Sequence, residues 1–479
     1  MKKLFTLAPI FTDGMVLQAE KPIKIFGTCK KGIEIVVTFP HQEVKIKTKD
    51  EFFQVEVEPL KATKQGFSFT VSSKKQSLTI YNCLIGEVFF LVGETNIRFP
   101  LKESFHQVVK EIPYIRYYEV PRVPYMNAHE DYPKHFKFEP SWKISNQENA
   151  DSFSAVGYFI STMLYENLKV PVGIVTYSEE DLSIFSLIDE KYLLSSTKLR
   201  RMIVSYQKEL EKYEYEQEYF SIFEQELSYI REGGGYRTLP MGPRHFNRPG
   251  GMYHLLQNVL GNYPVKALIY YQGESDWAHE DIYDEAMKKM IDSLRSLLGD
   301  SKLPVFYTQL AAFTYPGLEK NRMAKLREAQ ANCMNSTDNI YMASAIDLGE
   351  SDNMTPKDKA AISERLANII LEKVYKIGKN TLSPSYFSYQ INKDKLVIYT
   401  QHNPLNLVSN SMQNLGFFVS TDRVNYEECR NVKIENNQIL IPFNRKMKEV
   451  EYGFINNPHM DIYSSNGLPL LPFRIKIDI

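Results

Sequence analysis

Val88-Phe89-Phe90-Leu91-Val92-Gly93-Glu94-Thr95-Asn96 is the stretch that decides the fold class of this chain. Its first five residues are apolar without interruption. A half-solvated strand would alternate apolar with polar, so this one is expected to be buried on both faces, as in a parallel sheet. Similar runs end at Val175 (from Val170) and at Tyr271 (from Val265), and a fourth covers 304–307. Helical stretches lie between them, for example over 153–167 and 283–298. Strand alternating with helix predicts an α/β domain, a parallel sheet with helices on both faces. Ligands of such domains bind in loops at the carboxyl ends of the strands.

Moving outward, residues 1–84 change character. Ile23-Lys24-Ile25-Phe26 and Ile33-Glu34-Ile35-Val36-Val37 are short, alternating or β-branched, and Gly27, Gly32 and Gly66 punctuate the region. A small antiparallel β-sandwich is expected there. Residues 380–479 return to that style with Lys395-Leu396-Val397-Ile398-Tyr399, Gly416-Phe417-Phe418-Val419 and Ile439-Leu440-Ile441, predicting a second β domain. The α/β domain would then span 85–379. Within it, 197–232 is long, charged and aromatic, too polar for a core helix, and ends at Gly233-Gly234-Gly235; it reads as a helical arm.

The chain has 479 residues, of which 43% are hydrophobic and 24% charged, with a formal net charge of -1. That length predicts two to four domains. A chain this size buries its core without disulfides or metals. No basic block points to nucleic acid. Cys29, Cys83, Cys333 and Cys429 are scattered, which argues against a zinc site or a disulfide framework and for a reducing compartment. Met1-Lys2-Lys3 and the short apolar run after it resemble the beginning of a signal peptide. Pro9 interrupts the run and no small-residue cleavage site comes after it, so a first strand and a cytoplasmic location are expected. No window approaches the ~18 apolar residues that a membrane span needs. No phosphate-cradling glycine motif occurs, and no cofactor is expected.

A series of short motifs nevertheless carries a resemblance. It opens with Ala8-Pro9-Ile10-Phe11-Thr12-Asp13-Gly14-Met15-Val16-Leu17-Gln18 and continues with Ser154-Ala155-Val156-Gly157-Tyr158-Phe159 and Pro171-Val172-Gly173-Ile174. Then come Gly242-Pro243-Arg244, Asn247-Arg248-Pro249, Tyr271-Gln272-Gly273-Glu274-Ser275, Leu326-Arg327-Glu328-Ala329-Gln330 and Asp347-Leu348-Gly349. It closes with Asn456-Asn457-Pro458 and Gly467-Leu468-Pro469-Leu470-Leu471-Pro472-Phe473-Arg474. In this order the chain resembles the sialate O-acetylesterases and related carbohydrate acetylesterases, nearly end to end. The resemblance implies a flavodoxin-like SGNH-hydrolase domain flanked by β domains. It also implies removal of acetyl groups from sugar hydroxyls by a serine nucleophile and a histidine base.

That chemistry needs an attacking hydroxyl, a histidine to take its proton, a carboxylate to orient the histidine, and N–H donors for the oxyanion. Where the family has Gly-Gln-Ser-Asn, this chain has Gly93-Glu94-Thr95-Asn96; Thr95 keeps a hydroxyl. Where the family has Asp-x-His-Pro, it has Asn353-Met354-Thr355-Pro356. Thr355 cannot accept a proton near neutral pH, and Asn353 is no carboxylate. The family's oxyanion glycines are replaced after Ser178 by Glu179-Glu180-Asp181. Two like charges ~5 Å apart at an effective dielectric of about 20 repel by roughly 3 kcal/mol, or about two powers of ten in rate.

Gln272-Gly273-Glu274-Ser275 is intact, with Asp276 where the family usually has asparagine. Gln272 and Glu274, with Gly93 and Asn96, are the ligand-cleft candidates. His254 and His279 are the nearest candidates for a substitute base. The carboxylates 179–181 read as a solvated acidic loop rather than a cation site, since hard cations need spaced, convergent oxygens. The expectation is therefore an acetylesterase framework without catalysis, whose cleft holds an O-acetylated sugar or sialic acid. The alternative is an active carbohydrate O-acetylesterase with Thr95 as nucleophile and a displaced base.

Overall fold

A computed structural model describes residues 3–105, 109–121, 140–211, 242, 245, 247–314, 317–334, 336–402, 407–409 and 415–478. Most of the expected arm, its terminal Gly233-Gly234-Gly235, and Pro243-Arg244 lie outside the described residues. The arm's beginning, Arg200–Leu210, is a helix with no buried residue. Contacts gather the chain into two compact units. The first is Met1–Lys102, Gln107–Ile269 and Glu285–Leu303; the second is Glu103–His106, Tyr270–Asp284 and Pro304–Ile479.

In the first unit, Phe5–Leu7, Ile23–Cys29 and Phe52–Val57 form a three-stranded antiparallel sheet. Gly27 sits where the first two strands close on each other; a Cβ there would lie 1.9 Å from the Thr6 carbonyl oxygen. Glu34–Phe39 pairs antiparallel with Gln42–Lys47 and with Thr63–Ser73. Its Ile35, Val37 and Phe39 are buried while the residues between them are not, the alternation expected of a sheet with one dry face.

The strand Gln76–Gly93 then runs 18 residues without a break. Its first half pairs antiparallel with Thr63–Ser73. Its second half pairs parallel with Val172–Ser178, from Val172 opposite Glu87 to Ser178 opposite Gly93. Val172–Ser178 is in turn parallel to Ile112–Glu119, and Lys143–Ser145 adds an antiparallel edge. The sheet is therefore mixed. Val88 to Val92 are fully buried, as expected. Because one strand serves both regions, no linker separates residues 1–84 from the α/β region, and the two units are cut elsewhere than the composition shifts. Ser154 caps the helix Ala155–Leu168, its Oγ accepting from the Gly157 N–H at 3.0 Å.

The strand Ala267–Tyr271 leads out of the first unit. In the second unit, Val305–Gln309 and Ile340–Ser344 are parallel, buried strands accompanied by the helices Arg322–Met334 and Lys359–Tyr375. Two four-stranded antiparallel sheets and a two-stranded one, Leu407–Ser409 with Ile462–Ser464, complete it. Leu396, Ile398, Phe417, Ile439, Ile441, Val450, Tyr452 and Phe473 belong to their common core. Two of the sequence motifs meet here. The Arg327 guanidinium is 0% exposed and donates to the carbonyls of Ala311 (3.2 Å), Ile455 (2.5 Å) and Asn456 (3.1 Å). No helix of the described residues is long and apolar enough to cross a membrane.

Candidate functional site

The first unit carries the turn of the altered nucleophile motif. After Gly93 the chain enters a four-residue helix, Thr95–Arg98. Thr95 is half-buried, whereas Glu94 and Asn96 are buried. The acidic loop is anchored to this turn, because the Glu179 N–H donates to the Gly93 carbonyl at 3.2 Å. Its three carboxylates are not equivalent. Glu179 is 2% exposed, Glu180 is half-exposed, and Asp181 faces solvent with a left-handed φ of 54°. Arg98 lies 3.9 Å from both Glu179 and Glu180. The loop is thus partly neutralised, a compensation that its run of three acidic residues gives no sign of.

The loop is held from behind by Asn247. Its Oδ1 accepts from the Ser183 N–H at 2.8 Å, and its Nδ2 donates to the Asp181 carbonyl at 2.5 Å. This explains the Asn247-Arg248-Pro249 motif as scaffold. His245 turns inward, its Nδ1 accepting from the Asn247 N–H at 3.0 Å; burial brings its pKa down to about 4. His254, on the helix Gly251–Val259, is likewise lowered by burial and by the Arg248 guanidinium. Neither is tuned as a base for neutral pH.

The second unit carries the other two motifs. Gln272 is 0% exposed. Its Oε1 accepts from the hydroxyls of Tyr270 and Tyr283, the latter at 2.8 Å, and its Nε2 donates to Asp276 Oδ2 at 2.7 Å. A side chain so engaged supports the floor. Gly273, at φ 153°, takes a backbone conformation that side-chain-bearing residues rarely adopt, and a Cβ there would meet Leu310 tightly at 3.0 Å. Glu274 is only partly exposed. Asp276 Oδ1 lies 3.7 Å from the Nδ1 of His279, whose side chain is 32% exposed.

The loop at 353–355 closes on itself. Thr355 donates to Asn353 Oδ1 through both its N–H (3.0 Å) and its hydroxyl (3.1 Å). Asn353 Nδ2 donates to Glu350 Oε2 (3.0 Å) and to the Thr355 carbonyl (3.1 Å), and Glu350 Oε1 accepts from the Lys357 N–H (2.8 Å). These hydrogen bonds, the Asn353 side chain first, hold the Glu350 carboxyl below its ordinary pKa. Four residues beyond Thr355, Lys359 begins the helix Lys359–Tyr375 and is 1% exposed. Burial brings its pKa down to about 7, against the upward pull of Glu274, Glu350 and Asp358. Nothing in the sequence distinguishes Glu350 or Lys359 from the other charged residues of the chain.

Among the described residues no group of three or more histidine, cysteine, aspartate or glutamate side chains is arranged to hold a metal. What remains in the two places is a threonine hydroxyl beside a compensated acidic loop, and a hydroxyl–amide–carboxylate loop without an imidazole.

Residues 248–372 match a known family model. It is SASA, described as carbohydrate esterase, sialic acid-specific acetylesterase. The resemblance read from the sequence is borne out over this segment. A carbohydrate acetylesterase from Xanthomonas citri superposes with a TM-score of 0.80 at 21% identity, covering 99% of this chain and 100% of that one. At that identity it shows the fold, a mixed α/β architecture with additional antiparallel sheets. A family two carbohydrate esterase from Clostridium thermocellum, in complex with cellohexaose, matches at a TM-score of 0.29 and 10% identity, covering 74% of this chain and 90% of that one. That likeness adds nothing to the assignment. No curated protein matches.

Proposed function

We propose that this chain is a SASA-type acetylesterase framework that no longer hydrolyses esters and that binds an O-acetylated sugar, sialic acid among them, in the former active-site cleft. The carrying observation is the Thr355–Asn353 hydrogen bond. At the position resembling the family's base stands a hydroxyl that donates to an amide oxygen at 3.1 Å, and neither group takes a proton near neutral pH. The buried Glu179 near the nucleophile turn adds unfavourable charge where an oxyanion would form, reduced but not removed by Arg98 at 3.9 Å. Flanking β-sandwiches and a reducing, cytoplasmic setting go with this proposal; Cys29, Cys83, Cys333 and Cys429 are all buried free thiols.

One observation favours the alternative, an active esterase. Asp276, anchored by Gln272, stands 3.7 Å from His279; a carboxylate beside an imidazole supplies the two residue types that nucleophilic catalysis uses as orienter and base. The deciding experiment is hydrolysis of p-nitrophenyl acetate and O-acetylated sialic acid by wild type, Thr95→Ala and His279→Ala, with calorimetric titration of the same sugar. Sugar binding with no turnover above buffer supports the proposal. Turnover that both substitutions abolish overturns it and installs the alternative.

A further inference from the structure

The most unusual charge arrangement in the second unit lies away from these loops, on the strand Glu449–Tyr452. This strand pairs with Phe417–Ser420 on one side and Phe473–Lys476 on the other. Val450 and Tyr452 point into the hydrophobic core. By strand alternation Glu449 and Glu451 point to the opposite face, yet they are only 2% and 8% exposed. Glu451 stands opposite Arg474, and Glu449 opposite Lys476. Arg474 grips Glu328 of the helix Arg322–Met334 through two donors, at 2.7 and 3.3 Å. Its guanidinium also lies 4.6 Å from the centre of the Phe454 ring. Tyr426 donates to Glu449, and Arg423 approaches Glu449 at 4.0 Å.

Three carboxylates, from one helix and one strand, therefore gather around a single well-placed guanidinium. Arg423 and Lys476 sit at the margin, and Tyr426 contributes only a hydroxyl. We propose that the Glu328–Arg474 tie, backed by Glu449 and Glu451, is a pH-sensitive latch holding the C-terminal sheet on the helix Arg322–Met334. With Glu451 protonated, Arg474 serves two carboxylates. With Glu451 ionised it is shared among three in a dry setting, and its hold on Glu328 weakens.

Burial, aided by Glu449 and Glu328, raises the Glu451 carboxyl to about 7 against the pull of Arg474 and Tyr426; Glu328 is raised too, chiefly by burial. A carboxyl whose folded value is raised stabilises fully below its unfolded value, and the contribution is lost as pH climbs through the folded value. The window is therefore about pH 4.5 to 7.5.

The test is thermal unfolding of the full chain, wild type and Glu451→Gln, at pH 5 and pH 8. The two should melt within about 1 °C of each other at pH 5, and wild type about 3 °C or more below the variant at pH 8. An equal gap at both values overturns the latch. Amide hydrogen exchange, corrected for intrinsic rate, should accelerate over 473–476 in wild type between those pH values and not in Glu451→Gln. Unchanged protection in wild type also overturns it. Should Glu451→Gln fail to fold, carboxyl NMR titration of wild-type protein decides. One glutamate titrating near pH 7 upholds the latch, and none above about pH 5.5 sinks it.

Discussion

Asn353 and Thr355 are bound to each other three times, the Thr355 N–H and hydroxyl both donating to the Asn353 side-chain oxygen at 3.0 and 3.1 Å and the Asn353 Nδ2 donating to the Thr355 carbonyl at 3.1 Å. In a functioning acetylesterase of this type the corresponding positions would hold an acid and its histidine. Here the turn is held by a network that Glu350 completes from upstream. The polar groups of this loop satisfy one another.

Replacing Asn353 with alanine removes the partner of both Thr355 donors and leaves Glu350 with one acceptor bond fewer. The side chains are partly exposed, so water takes up some of the loss, and the expected destabilisation is about 1–2 kcal/mol. Urea unfolding checks it through a lower midpoint with unchanged slope. On the proposed reading, the double substitution Asn353→Asp, Thr355→His should not by itself confer ester turnover, because Glu179 and Glu180 remain beside the Gly93–Asn96 turn. Full recovery of activity by that pair alone would show that the acidic loop is harmless.

Arg98 is the counter-charge of a nearly buried carboxylate. Arg98→Ala should destabilise the protein by about 1 kcal/mol, discounted because the arginine is itself partly exposed and stands 3.9 Å away. Adding Glu179→Gln should recover most of that loss, since the stranded charge disappears with it. A double-mutant cycle by chemical denaturation measures the coupling. Strict additivity would mean that Arg98 and Glu179 do not interact energetically.

Lys359 sets a second pH dependence, opposite in sense to that of Glu451. Its pKa in the folded chain is about 7, below the ordinary lysine value of 10.5, chiefly through burial. Between those values the unfolded chain holds a proton that the folded chain does not, so stability should rise with pH from about 7 to 10. Lys359→Met should flatten that rise. Unfolding free energies at pH 7, 8.5 and 10 provide the check, and parallel profiles for the two proteins would count against the assignment.

The parallel strands were legible because burial on both faces leaves no room for polar residues, and Val88 to Val92 show that directly. The absence of a histidine at 353–355 was legible too, since a residue either stands at a position or does not. Arg98, Glu350 and Lys359 were not. Each is an ordinary charge in the chain, and what distinguishes it is the company it keeps after folding. The Arg327 and Asn247 motifs could be recognised in sequence, but their roles as braces for backbone carbonyls and loops emerge only from the hydrogen bonds.

Local pattern alone determined the α/β core, the β-rich ends and the absence of histidine and carboxylate from 353–355, because periodicity and residue chemistry are properties of the chain itself. Tertiary structure alone decided that Gln76–Gly93 joins two regions as one strand, that Arg98 offsets the acidic loop, and that Glu328, Glu449 and Glu451 share one arginine. Charge interactions depend on distance and burial, and neither exists until residues far apart in sequence are brought together.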